Sequence, residues 1–459
     1  MRADAQARLT ELRGLVGREH VLTDPQDLIH YGCDWARQFV PAPFAAVMPA
    51  TADEVQSVVR WARERGVALV PSGGRTGLSG GAAATDGELV VSMERMNRIL
   101  GFDPVDRTLT VQAGAVTERV QGAAREEGLF YPVDFGSRGS SQIGGNIATN
   151  AGGIKVLRYG MTRSWVTGLK VVTGTGELLD LNRGLVKNAT GYDLRHLLIG
   201  SEGTLGIVVE ATLQLTDPPP PQQVMVLALP GLADVMAVLG EFRRKLVLSA
   251  FEFFTDRALV HVVNAGARRP FDTVAPCYVL VEFDADPEAA LAAFDVAMGK
   301  GFVLDGVISQ SEGQASELWR LREGITESLA RYKPYKNDIS VRVGVVPAFL
   351  TRVDELFARE YPDFEVIWFG HIGDGNLHIS VLRPEGMEEA AFHQSCHEVT
   401  HRLGALLAEF GGSISAEHGV GLLKKPFLHY TRSAAEIELM RQVKRVFDPD
   451  GIMNPGRIF

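Results

Sequence analysis

The stretch WFGHIGDGNLHIS (368–380) holds two histidines at a spacing that could make them converge. VIWF (366–369) and LHISVL (377–382) read as short apolar strands, and Gly373, Asp374, Gly375 and Asn376 between them have turn chemistry. The spacing predicts a hairpin with His371 and His378 on facing strands, and period-2 alternation puts Ser380 on the face of His378. Imidazole is the commonest metal ligand, and a catalytic zinc site takes three protein ligands and leaves one position open. SISAEHGVG (413–421) supplies a carboxylate, Glu417, with His418 beside it. A metal centre is one reading; a polar hairpin with incidental histidines is the other, and the first gains weight only if the chain also offers a redox cofactor.

A second histidine pattern competes. His397, Glu398, Val399, Thr400 and His401 spell HExxH, the zinc-peptidase motif. Phe392, Cys396, Val399, Leu403, Leu406 and Phe410 form the apolar stripe of the same helix, and His397 and His401 lie roughly 140 to 180 degrees away from it. They are expected to face water with His393, which removes the peptidase reading.

The elements that must position these groups are punctuated by glycine. TADEVQSVVRWARERG (51–66) predicts a helix with a Thr51/Glu54 capping box and a Gly66 stop, followed by a buried strand. Next comes PSGGRTGLSGG (71–81), whose five glycines let consecutive N–H groups point into one concavity suited to anionic oxygens. After a helix from Thr117 to about Glu127, PVDFGSRGSSQIGGNIATNAGG (132–153) is a second loop rich in Gly, Ser, Thr and Asn. NATGYDLRHLLIGSEGTLGIVVEATLQL (188–215) ends in a period-2 strand, and DPPPP (217–221) reads as a stiff boundary. Neither GxGxxG after a strand nor GxxxxGK[ST] occurs, so the fingerprints of Rossmann dinucleotide binding and P-loop phosphoryl transfer are missing. A diphosphate held by other means fits better.

Downstream, strands such as YVLVEF mix with amphipathic helices in an α+β pattern, which divides the chain into 1–217, 222–386 and 387–459. SELWRLREGITESLARY (316–332) places Arg322 and Thr326 at i and i+4 on one helix face, with Lys336 following in YKNDIS. These are a solvated helix face and a loop lysine, or cations and a hydroxyl that hold a carboxylate near the metal. Ser433 and Glu436 predict a capping box for the last helix, and the apolar ending of FDPDGIMNPGRIF (447–459) is expected to dock back on the body.

Bulk properties exclude other classes. A 459-residue chain with 46% hydrophobic and 22% charged residues has ample core, while a charge of −10 and a pI near 5.6 disfavour nucleic acid as a partner. No apolar run reaches the length of a membrane span, and the N-terminal stretch lacks a signal-peptide core, so a cytoplasmic protein is expected. Cys33, Cys277 and Cys396 match neither a disulfide framework nor a thiolate metal site and read as buried thiols.

With PSGGRTG, GSSQIGGNIATNAGGIKVLRYG, KNATGYDL, GSEGTLG, GHIGDGNLH, SISAEHGVG and MNPGRIF in this order, the chain resembles, end to end, FAD-dependent 2-hydroxy-acid dehydrogenases of the vanillyl-alcohol oxidase / p-cresol methylhydroxylase fold. The resemblance implies an FAD-binding domain of that type, an α+β substrate domain and a C-terminal segment that packs back. It implies that Pro71, Gly73, Gly74, Arg75, Thr76 and Gly77, with Gly144, Gly145, Asn146, Thr149 and Gly153, wrap FAD, that Glu202, Gly203 and Ile207 line the flavin cleft, and that Asn454 closes it. It makes His371, His378 and Glu417 the zinc ligands and places His418 at the flavin face as the group that takes the hydroxyl proton. Arg322, Thr326 and Lys336 match positions that hold substrate carboxylates, and REGITE, PYKNDIS, GHIGDGNLH and SAEHGVG together are most similar to members acting on D-2-hydroxyglutarate; a distal carboxylate held by these groups would also admit D-malate. Ser380 stands where relatives often carry Asn, and neither Gly loop has the His or Cys of relatives that attach flavin covalently, so noncovalent FAD is expected. The resemblance suggests electron-transfer flavoprotein as electron acceptor and leaves room for a homodimer. Two alternatives stay open: a D-lactate dehydrogenase, and a noncatalytic FAD-binding subunit of a larger oxidase.

Overall fold

Short apolar strands sort into three sheets in the computed structural model, which describes residues 2–459. The first sheet takes β1 (Val21–Leu22), β2 (Ala45–Val47), β3 (Leu69–Ser72) and β4 (Leu89–Ser92) in the order β1-β2-β4-β3, with β2, β4 and β3 parallel. The helix Ala52–Arg65 makes the crossover from β2 to β3 and buries Val55, Val58, Val59 and Ala62. Gly66 closes it in the left-handed conformation, as the sequence predicts. Its N-terminal box is only half formed, because Thr51 accepts from the Glu54 N–H while the Glu54 carboxylate takes the N–H of Ala50.

The second sheet is antiparallel throughout: β5 (Ile99–Asp103), β6 (Thr108–Gln112), β7 (Val166–Thr173), β8 (Leu178–Leu181) and β9 (Gly206–Gln214) run in the order β5-β6-β9-β7-β8. One core joins it to the first sheet and includes Ile143, Ile147, Phe447 and Met453.

The third sheet is the scaffold of the catalytic candidates. It holds β10 (Gln222–Leu229), β11 (Leu248–Thr255), β12 (Cys277–Asp284), β13 (Asp305–Ile308), β14 (Tyr335–Ser340), β15 (Glu365–Gly370) and β16 (Asn376–Leu382), in the order β13-β10-β12-β11-β15-β16-β14 with antiparallel neighbours. Both faces are covered. Met225, Leu227, Leu377 and Ile379 enter one core, closed by the helix Glu389–Phe410; Val224, Val226, Phe254 and Leu280 enter the other, closed by the helix Glu312–Leu329. Two-sided burial explains why these strands read as continuous apolar runs.

Residues 448–459 return to the first sheet. Met453 bridges Leu69 in parallel, Asn454 N donates to Leu69 O at 2.8 Å, and Arg457, 3% exposed, pairs with Glu88. Among the described residues no helix is long and apolar enough to cross a membrane. Cys277 and Cys396 are buried, whereas Cys33 is only half-buried, with its thiol against the carbonyl of His30.

Candidate active site

The hairpin forms, but His371 stands one residue past the end of β15, in the turn, while His378 lies on β16 opposite Phe369 and Asp338. The imidazoles still meet, with ring centroids 5.3 Å apart and planes at 82°. Glu417 arrives from the 413–421 loop: its Oε2 is 3.9 Å from His371 Nε2 and its Oε1 is 3.8 Å from His378 Nε2. The three ligand atoms lie within 4.8 Å of one another, so the donor set fits a single ion of the zinc class. Burial pushes the His378 pKa down to about 3, which keeps the ring neutral and leaves one of its nitrogens available as a ligand. Burial also opposes charge on His371, but the Glu252 carboxylate outweighs it and lifts that pKa to about 9.

Glu252 is 1% exposed and was not singled out by the sequence pattern. His371 Nδ1 donates to its Oε1 at 2.8 Å, and Arg322 Nε stands 2.8 Å from its Oε2, close enough for an ion pair but off hydrogen-bond alignment. One buried carboxylate therefore couples the metal-type cluster to the arginine. Arg322 is 6% exposed rather than on a solvated face, its guanidinium lies 5.0 Å from the Phe369 ring centroid, and its Nη2 is buried with no hydrogen-bond partner. Thr326 follows one turn later and lines the same cavity. Lys336 is not a loop lysine: it sits on β14 in register with Ser380, its side chain opens onto the cavity, and desolvation by the surrounding protein lowers its pKa.

Asp338, two residues along β14, is the other group the sequence pattern did not flag. It is 3% exposed, and its Oδ2 accepts from the backbone N–H groups of Ala416, Glu417 and His418 at 3.2, 3.1 and 3.3 Å. The same oxygen meets Lys424 Nζ at 3.3 Å and His418 Nδ1 at 3.4 Å, while Oδ1 accepts from Asn376 Nδ2 at 2.8 Å. His418 Nε2 is thereby turned toward Glu417, 3.4 Å from its Oε1.

His371, His378 and Glu417, with His418, Asp338, Arg322, Thr326, Lys336 and Ser380, line one cavity of about 1560 Å³, and its other wall is made by the two Gly loops. Pro71, Gly73, Gly74, Arg75, Thr76 and Gly77 form one rim; Gly144, Gly145, Asn146, Thr149 and Gly153 form the next; Glu202, Gly203 and Ile207 stand between. The loops interlock, since a Cβ on Gly74 would fall 2.1 Å from the carbonyl oxygen of Ser140. The wall fits a polar cofactor: a Cβ on Gly145 would meet nothing within 4 Å, and the buried Gln142 Oε1 and Ser72 Oγ have no hydrogen-bond partner.

Several of the expected cofactor residues use their side chains elsewhere. Arg75, in the left-handed region at φ 56°, pairs with Glu94 at 2.9 Å and stacks 4.6 Å above Tyr31, leaving its backbone to the cavity. Asn146 donates to Thr117 Oγ1 at 2.7 Å. Asn454, expected to close the cleft, is 1% exposed and stands behind the wall, donating to the carbonyls of Gly81 and Glu202. The solvent-facing expectation for the HExxH histidines needs a correction as well. His397 is exposed, but His401 is half-buried, its Nδ1 3.0 Å from Tyr430 Oη, and both rings pack on Phe427. Neither shares a carboxylate with the hairpin cluster.

Comparison with known proteins gives this geometry its class. The family profiles for the FAD binding domain and for the C-terminal domain of FAD linked oxidases match residues 43–182 and 218–458, which makes the chain an FAD-linked oxidoreductase. The fold is that of p-cresol methylhydroxylase, with a TM-score of 0.73 at 15% identity over 100% of this chain and 97% of that one; alkyldihydroxyacetonephosphate synthase gives 0.72 at 20% over 98% and 85%. Proteins named D-2-hydroxyglutarate dehydrogenase from Xanthomonas citri pv. viticola and Stutzerimonas stutzeri are 61% and 56% identical, covering 98% and 99% of this chain and 97% and 99% of theirs. The mitochondrial protein of that name from Bos taurus is 38% identical over 95% of this chain and 81% of its own. The chain belongs to the D-2-hydroxyglutarate dehydrogenase family.

Proposed function

We propose that the protein oxidises D-2-hydroxyglutarate to its 2-oxo acid with noncovalent FAD and a zinc ion held by His371, His378 and Glu417, D-malate being a second substrate. The observation that carries this reading is Glu252, which touches both the metal-type cluster and Arg322, so a cation for carboxylates stands beside the place where a hydroxyl would be activated. The names of the relatives support the substrate.

When bound, FAD supplies the two-electron acceptor and the metal a Lewis acid that favours loss of the hydroxyl proton. The chain does the rest. Arg322 Nη2, Thr326 and Lys336 hold the substrate carboxylates by charge-assisted hydrogen bonds, and Ser380 shapes the floor beside them. His418 Nε2 takes the hydroxyl proton, because Asp338 fixes its other nitrogen. The Gly loops hold the cofactor with backbone N–H groups, the oxidised product leaves as the 2-oxo acid, and the electrons pass to an acceptor such as electron-transfer flavoprotein.

The test is an asymmetry. Removing Arg322 lowers kcat/KM for D-2-hydroxyglutarate at least about tenfold, roughly 1.4 kcal/mol, and hardly changes residual D-lactate turnover in a dye-coupled assay. Equal losses on both substrates would assign the arginine to the carboxylate they share and leave the dicarboxylate preference without a basis.

A further inference from the structure

The loop that carries Glu417 and His418 is gripped from both sides. Asp338, on β14 of the third sheet, takes the N–H groups of residues 416, 417 and 418. Glu202, from the segment leading into β9, takes the next accessible pair: its Oε1 and Oε2 accept from Val420 and Gly421 at 2.7 and 2.7 Å. Both carboxylates are nearly sealed from solvent, at 3% and 8% exposure, and Glu202 sits in the left-handed region at φ 52°. Gly419 lies between the two grips at φ 76°, where a Cβ would come 3.0 Å from the Glu202 carboxyl carbon. Glu202 therefore lines the cavity with its carboxylate already spent on the loop.

We propose that Asp338 and Glu202 are paired positioning residues, one from the substrate sheet and one from the FAD-binding side, that clasp residues 416–421 so that the way the two sides meet sets the alignment of Glu417 and His418. Charge-assisted bonds to consecutive backbone N–H groups fix a loop more tightly than neutral ones, and a turn held at both ends has little freedom left. The inference rests on the reading of His418 as the proton acceptor but predicts a physical property of the loop that is independent of turnover.

The test compares Glu202→Gln, Asp338→Asn and Gly419→Ala in the flavin-loaded enzyme by amide hydrogen exchange, kinetics and metal content. Each variant is expected to speed exchange of the amides in 416–421 at least about tenfold. Each is also expected to cut kcat about tenfold or more with KM changed by less than about threefold, and to raise the solvent deuterium isotope effect on flavin reduction. The double variant Glu202→Gln/Asp338→Asn should lose less than the product of the single losses, since both hold one loop. Gly419→Ala keeps both carboxylates and decides the matter if a charge-removing variant does not fold. Unchanged loop exchange in the folded variants overturns the clasp, as does a loosened loop with kcat intact. A wild-type enzyme inactive on every D-2-hydroxy acid would instead overturn the functional reading, and the exchange data would still decide the clasp.

Discussion

Glu252 sits in the run AFEFF, and its position there is a signal that pattern reading can use: an acid inside a continuous apolar strand is buried and must be paired. Its partners lie 119 residues away at His371 and 70 away at Arg322 (322 minus 252), which is why no local spacing names them. Because it orients a metal-type imidazole, Glu252→Gln is expected to weaken zinc binding by about tenfold or more, read by competition with a chelator, and to lower activity in step. Normal metal affinity in that variant would reduce Glu252 to a counter-ion for Arg322. The same reasoning separates what was legible from what was not. His371, His378 and Glu417 declare themselves by residue type, whereas Asp338 looked like one more polar residue of YKNDIS and acquires its meaning only from the backbone of residues 416–418.

Among the elements, those written by local chemistry were the most legible. The Ser433/Glu436 box is present, with Ser433 accepting from Glu436 N and Glu436 accepting from Ser433 N, so the start of the helix Ala434–Phe447 was readable from four residues. Ser433→Ala is expected to cost about 1 kcal/mol, measured by denaturant unfolding, without altering turnover. Full stability in that variant would show that the helix is held by its far end, where Lys444 donates to the carbonyls of Thr204 and Met453. The half-formed box at Thr51 shows the limit of such signals, since the choice of Glu54 between two backbone donors is made by the chain that precedes the helix. The HExxH helix teaches a related point. Periodicity found its apolar stripe, but Phe427 and Tyr430, from a segment packed on the helix, give His401 a cover that the stripe alone could not reveal.

At the scale of the molecule, the cavity runs between parts of the chain more than 300 residues apart, and its walls are held by ion pairs across the junction. Lys155 pairs with Glu282 beneath the Trp319 indole, and Arg158 pairs with Asp284 and donates to Ser249. The cofactor wall offers backbone and neutral polar groups, and neither Gly loop supplies a His or Cys tether. The protein is therefore expected to purify yellow and to release intact FAD on acid or heat denaturation, checked by whether flavin stays with the precipitate. Since the metal-type ligands belong to the hairpin and the 413–421 loop rather than to the Gly loops, chelation is expected to abolish turnover while the visible flavin spectrum persists. Bleaching on chelation would mean that the two sites are not independent.

Residues 448–459 run under the first Gly loop, tie to Leu69 and Glu88, and brace Gly81 and Glu202 through Asn454. Asn454 reaches Gly81 across 373 positions of sequence, so this backing is a long-range closure that forms only once distant parts of the chain have folded against one another. Without it the first Gly loop and Glu202 keep their strands and turns but lose the hydrogen bonds that back them.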